Sequence, residues 1–346
     1  MAYTTINKSS EHFNTKLYTG NSGTQNITGL DFQPDFVWTK NRDDTWDNTF
    51  IDAVRGGTKY IRSNSTNAEA TNSTMITAFN SDGYTVGEHG DINRNNERNV
   101  SWNWLANGAG SANTAGSINS TVSANTTSGF SIVSYTGTGA NATVGHGLGS
   151  ASGLIILKNL TTNRNWQILH HKNTAAPATQ QLEFGTDATA TVTSQWNSVM
   201  PTSSVFSIGT NDSTNKSGNS FIAYCFAEKQ GYSKFGSYTG NGNNDGTFIY
   251  TGFKPAFVMF KNTSAAGDWT IQDSGRDTYN LADARLYSNL SNVENDGGGY
   301  GVDFLSNGIK IRTSSAGWNT SGQTYIYMSF AEQPLVGTNN VPCTAR

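Results

Sequence analysis

Charge is scarce in this chain. Asp, Glu, Lys and Arg make up 14% of its 346 residues, the net charge is -3, and no run of Lys or Arg occurs. Nucleic acid and anionic membrane surfaces are thereby disfavoured as partners, because both are held through clustered cations. Apolar runs of bilayer-spanning length are also missing, and Met1 to Lys8 carry no stretch apolar enough for a secretion signal. No membrane insertion is expected, and the product should be made soluble in the cytoplasm. Cysteine is limited to Cys225 and Cys343, which gives neither a disulfide framework nor a metal spacing, and Cys225 reads as a small packed residue. The five histidines, His12, His89, His146, His170 and His171, form no ligand pattern, and neighbours such as His170 and His171 point to opposite faces of a strand. No metal or cofactor is called for.

What is present is aromatic residues at 11%, 37 glycines, and much Ser, Thr and Asn. Such a composition favours β-strands joined by tight turns. Asn80-Ser81-Asp82-Gly83 and Ser306-Asn307-Gly308 sit between apolar runs as hairpin turns do. Helical periodicity is nearly absent, and Leu281 to Asn289 is the one stretch with room for a turn or two.

The strongest pattern is an internal repeat. Tyr18-Thr19-Gly20, Tyr135-Thr136-Gly137 and Tyr238-Thr239-Gly240 each precede a lysine, Lys40, Lys158 or Lys261, by 22, 23 and 23 residues. A closing alanine, Ala106, Ala227 or Ala331, follows the tyrosine at 88, 92 and 93. Three homologous units of roughly 100 residues follow, each long enough for a domain. Within each, Phe36/Trp38, Leu154/Ile156 and Phe257/Met259 offer an alternating face to the inside of a two-sheet domain. The expected fold is all-β: three tandem β-sandwiches of jelly-roll or lectin-like kind. The first spans residues 1–107 with an N-terminal arm, the second 129–228 and the third 229–334, followed by a tail over 335–346. Residues 108–128, built almost wholly of Gly, Ala, Ser, Thr and Asn, read as a linker on which the first domain could hinge.

The repeat also sorts candidate residues. Lys40, Lys158, Lys261, Trp46, Trp166 and Trp269 recur and so serve the fold, with each lysine stem lying along a ring. Asp52/Arg55 and Asp273/Arg276 read as loop salt bridges. Glu228 and Glu332 close two units where Asn107 stands in the first, and no spacing supports a facing carboxylate pair. Asn241 to Asp245 resembles the start of a calcium loop, but Gly252 stands where the bidentate glutamate is required.

Gly129-Phe130-Ser131-Ile132-Val133-Ser134-Tyr135-Thr136-Gly137, with Tyr224-Cys225-Phe226-Ala227-Glu228 and Ser233-Lys234-Phe235-Gly236-Ser237-Tyr238-Thr239-Gly240, resembles a family encoded by tailed bacteriophages of marine bacteria and cyanobacteria. Its members are described as virion structural or tail-fibre-like proteins. The resemblance implies a component of the virion, made in the host cytoplasm and partnered by other virion proteins, and it supplies no catalytic residues. The expected role is a tail fibre or appendage that touches host-surface glycan. A capsid decoration protein and a glycan-active enzyme are the alternatives. Attachment proteins gain from multivalency, so a homo-oligomer, most naturally a trimer, is expected unless the three units make one chain a pseudo-trimer. Arg42-Asp43-Asp44, His89-Gly90-Asp91, Trp196 and Trp318 lie in turn-rich segments without an evident counterpart among the repeats. They are the candidate host contacts, since an aromatic face stacks on a sugar ring while Asp bonds its hydroxyls.

Overall fold

Alternation along single strands shows the plan of the whole chain. In Phe36–Asn41, Phe36 and Trp38 enter one apolar cluster and Val37 another, as the two-residue period of a strand requires. Leu154–Asn159 sends Leu154 and Ile156 into that same first cluster and Ile155 and Leu157 into a second of their own. Phe253–Asn262 does likewise with Phe257 and Met259 against Val258 and Phe260. Strands buried on both faces read as unbroken apolar runs, which is why these three stand out in the sequence.

In the computed structural model, which describes residues 3–337 and 341–343, these strands take the third place in a four-strand order that occurs three times. The order is opening, closing, inner and outer strand. It runs Phe13–Thr19, Arg98–Trp104, Phe36–Asn41, Thr49–Asp52 in the first sheet. It runs Phe130–Thr136, Ser220–Phe226, Leu154–Asn159, Gln167–His170 in the second, and Ser233–Thr239, Thr324–Pro334, Phe253–Asn262, Thr270–Asp273 in the third. Each large sheet shares its outer apolar cluster with a smaller one, built on Gln25–Thr28, Ala142–Gly145 or Phe248–Tyr250. The chain is all-β, made of layered antiparallel sheets. Leu281 to Asn289 forms no helix: Leu286–Tyr287 is a short edge strand, and the buried Leu286 belongs to the central cluster.

The Tyr-Thr-Gly triplets latch each unit shut. The Tyr18, Tyr135 and Tyr238 hydroxyls donate to the carbonyls of Ile92, Thr214 and Trp318 at 2.6, 2.6 and 2.7 Å. The next residues, Asn93, Asn215 and Asn319, accept from the amides of Asn21, Thr138 and Asn241 at 2.9, 2.7 and 2.9 Å. A Cβ on Gly20, Gly137 or Gly240 would run into the carbonyl of Arg94, Lys216 or Thr320, so close backbone approach demands glycine there.

Three expectations need correction. Phe36/Trp38 and their equivalents do not fill three separate sandwiches; their faces meet in one cluster, where Phe36 stacks on Tyr224 at 4.3 Å and Phe13 on Phe330 at 5.1 Å. The first unit is therefore packed against both others rather than hinged. Nor are residues 108–128 a free linker, because Ser111–Asn113 and Ser120–Asn125 extend the second sheet, with Ser120–Asn125 paired along Phe130–Thr136. Val122 and Ile118 bury themselves in the cluster behind it; those two residues make docking worthwhile where the surrounding Gly, Ser and Thr could not. Of the tail expected over 335–346, residues 338–340 and 344–346 lie outside the described residues, and Val336 bridges Pro342.

A shared core predicts shared unfolding. Calorimetry should show one transition for all three units, and Trp104→Ala, which empties a fully buried indole site in the common cluster, should lower stability by about 3–5 kcal/mol without splitting that transition.

Candidate functional site

The repeated polar residues lie at the junctions between units. Trp166 Nε1 of the second unit donates to the Arg62 carbonyl of the first at 2.9 Å, and Trp269 Nε1 of the third to the Glu183 carbonyl of the second at 2.7 Å. Strand register puts Asn48, not Trp46, in the equivalent place in the first unit. Asn48 Nδ2 donates to the Tyr287 and Leu290 carbonyls of the third at 3.0 and 2.8 Å, so the three junctions form a closed ring. Asp52/Arg55 and Asp273/Arg276 are ion pairs, each at 2.6 Å, but they are buried between units rather than exposed on loops. Asp52 accepts from the Tyr224 hydroxyl and Asp273 from Trp102 Nε1. His170 takes the third such place, with Nε2 3.1 Å from the Tyr327 carbonyl, and burial holds its imidazole down to about 3 and neutral. Lys40, Lys158 and Lys261 are fully buried. Lys158 reaches the Thr66 carbonyl at 2.8 Å and Lys261 the Gly185 and Thr186 carbonyls at 3.1 Å, each across a junction, while Lys40 bonds the Asn41 and Asp44 carbonyls of its own loop.

Most of the expected host contacts belong to this framework. Arg42 grips Glu294 through two bonds of 2.8 and 2.6 Å, tying the first unit to the third. Asp43 is exposed but pairs with Arg98 at 2.6 Å, and exposed Asp44 accepts from the Thr45 amide at 2.7 Å. His89 caps the short helix Gly90–Asn93 by accepting from the Asp91 amide at 3.2 Å, and Asp91 is buried against Arg62. Trp196 is fully buried in the second unit's outer cluster and cannot stack on a ligand. Trp318 is 3% exposed and does have counterparts, since its carbonyl takes the tyrosine latch as Ile92 and Thr214 do.

Trp318 nevertheless forms one wall of a cleft of about 330 Å³ in the third unit. The loop before Thr270–Asp273 brings Asp268, the edge strand and the residue before it bring Tyr287 and Arg285, a glycine-rich loop brings Tyr300, and the latch turn brings Gly317 and Trp318. Tyr300, 40% exposed, lies nearly parallel to the Trp318 ring, 6.3 Å away. The Arg285 guanidinium is 4.8 Å from the Tyr300 ring and 5.7 Å from that of Trp318. Arg285 Nε and Trp318 Nε1 are buried donors without a hydrogen-bond partner among the described residues. Asp268 is the only carboxylate lining the cleft among the described residues, and it accepts from Asn289 Nδ2 at 2.8 Å. Glycoside hydrolysis needs two carboxylates across the bond. Asp277, Asp283 and Asp296 bring oxygens within 4.8 Å of one another but do not line the cleft. A larger cleft of about 400 Å³ beside Lys8 and Glu332 has no aromatic wall.

Residues 8–334 match DUF7483, a domain of unknown function. The chain belongs to the DUF7483 family. No curated protein matches it. The DUF7483 region takes in all three large sheets as one unit, in keeping with their common core. What sequence reasoning missed in the DUF7483 chain is Arg285, Tyr287 and Tyr300. They lie in the segment between Asp273 and Val302, where no repeat spacing or motif marks them.

The buried lysines set a pH dependence. Burial lowers Lys40, Lys158 and Lys261 from 10.5 to about 8, 7 and 8. Between those values and 10.5 the unfolded chain holds protons that the folded chain has released, so these groups make stability rise with pH. Urea midpoints should increase from about pH 7 to about pH 8.5 and turn down above it, where the unfolded chain begins to lose the thiol and phenol protons that burial holds on Cys225, Tyr224 and Tyr232. Lys158→Met should flatten the rise, and a wild-type midpoint falling steadily from about pH 7 to about pH 8.5 would contradict it.

Proposed function

We propose that this chain is a non-enzymatic attachment protein that binds saccharide in the third unit's cleft and is carried on a bacteriophage particle as a tail fibre or appendage. The observation that carries the binding reading is the exposed Tyr300 ring beside the Arg285 guanidinium, which has no ion pair among the described residues, in an open cleft walled by Trp318. A sugar presents an apolar ring face and a rim of acceptors, and this combination answers both. The particle and its other proteins enter through the sequence resemblance, and a tail appendage is favoured over capsid decoration because a ligand cleft serves attachment directly. The ring of three units already gives one chain a threefold plan. Oligomers of it, trimers included, would add valency to a weak single site.

Glycan-array binding by the purified protein tests the reading. At least one polysaccharide class should be retained, and Tyr300→Ala should weaken retention about tenfold, near 1.4 kcal/mol. Trp196→Ala should change stability but not preference. Absence of retention, or equal retention by Tyr300→Ala, would sink the proposal.

A further inference from the structure

Corresponding places in the three units hold different charges. By strand register, Tyr60 and Arg62 of the first unit correspond to Arg285 and Tyr287 of the third. The latch turns align through Asn93 and Asn319, which matches Asp91 with Gly317. In the first unit the arginine is neutralised: Arg62 pairs with Asp47 and with Asp91, each at 2.8 Å. In the second, the Glu183 carboxylate accepts from the Gln167 amide at 2.8 Å and from those of Asn165 and Gln181. In the third, Arg285 has no carboxylate within ion-pair distance among the described residues. The residue in Asp91's place is Gly317, and a Cβ built on it meets nothing within 4 Å. The third cleft therefore carries its cation two residues earlier, at Tyr60's place, keeps a carboxylate, Asp268, at Asp47's place, and has the uncovered Gly317 at Asp91's place, so that Arg285 stands without an ion pair among the described residues.

We infer that the cleft selects an acidic saccharide, one bearing a carboxylate or sulfate group that pairs with Arg285 while the sugar ring lies against Tyr300. This deepens the saccharide reading above and rests on it. Partly desolvated guanidinium–oxyanion pairs are strong and directional. The protein's own charge of -3 offers polyanions no general attraction, so preference for an acidic polymer would have to be local.

The test measures retention of dextran, polygalacturonate and dextran sulfate by the wild-type protein and by Tyr300→Ala, Arg285→Met, Gly317→Asp and Gly317→Asn. The wild type should hold at least one acidic polymer tenfold or more tightly than dextran, with the margin shrinking as salt rises. Preference for polygalacturonate alone assigns a carboxylate, for dextran sulfate alone a sulfate, and for both the charge they share. Arg285→Met should remove the preference. Gly317→Asp adds a second carboxylate to the cleft and should lower acidic-polymer binding tenfold below Gly317→Asn, which adds equal bulk without charge. If dextran binds as well as the acidic polymers and Tyr300→Ala weakens it, the inference fails and the saccharide reading stands. If no polymer is retained, both fall. Equal losses in Gly317→Asp and Gly317→Asn would also overturn the inference, since bulk alone would then account for them.

Discussion

Burial of three aromatic-rich sheet faces against one another is the constraint on which the rest depends. Each large sheet is apolar on both sides, so covering its outer face with a small sheet solves only half of its exposure to water. Phe36, Trp102 and Trp104 from the first unit, Phe130, Tyr224 and Phe226 from the second, and Phe257 and Phe330 from the third have cover only in each other. A unit excised alone would present that whole inner face to solvent, a patch far beyond what a monomeric surface tolerates. The threefold assembly is thus a condition of each unit's stability, and the polar junctions are arranged around it.

Those junctions show one requirement met by different chemistry. Where Tyr224 and Trp102 offer donors into a buried junction, the facing residues are the acceptors Asp52 and Asp273. The equivalent closing-strand position in the third unit is Met328, which has no proton to give. There the facing residue is His170, which finds the Tyr327 carbonyl instead. A buried carboxylate opposite methionine would lack this partner and carry a large desolvation cost. The same reasoning covers Asn48 standing where Trp166 and Trp269 stand: a side-chain N–H must reach a carbonyl of the neighbouring unit, and amide and indole both supply one.

Much of the fold was legible because the repeat is written in residues that the fold cannot replace. Tyr18, Gly20 and Lys40 and their equivalents hold their spacing since a latch, a close approach and a buried ammonium each tolerate little else. Trp46 misled because composition suggested an indole where register, visible only once strands pair, puts Asn48. Residues 108–128 misled for a related reason: their strands draw most of their stability from the neighbouring sheet, to which a local reading of Gly, Ser and Thr is blind. At the candidate site the sequence yielded Trp318 alone. Its partners come from the loop before the outer strand, an edge strand and a glycine-rich loop. No spacing along the chain encodes their convergence.

Divergence among the units then acquires a direction. Core positions are held by burial on both faces and junction positions by hydrogen bonds across the ring, so neither can vary freely. The ends of the outer strands, with the latch turns above them, escape both restrictions. At that place the first unit has closed on itself, with Asp47 and Asp91 holding Arg62. The second has closed too, with side-chain amides holding Glu183. In the third, uncharged Tyr287 takes the place of Arg62, and its arginine, Arg285, stands two residues earlier, without an ion pair among the described residues, beside exposed Tyr300. Burying part of a guanidinium without a partner costs stability that neither sibling unit gives up. On the acidic-saccharide reading, the oxyanion that offsets this cost arrives with the ligand.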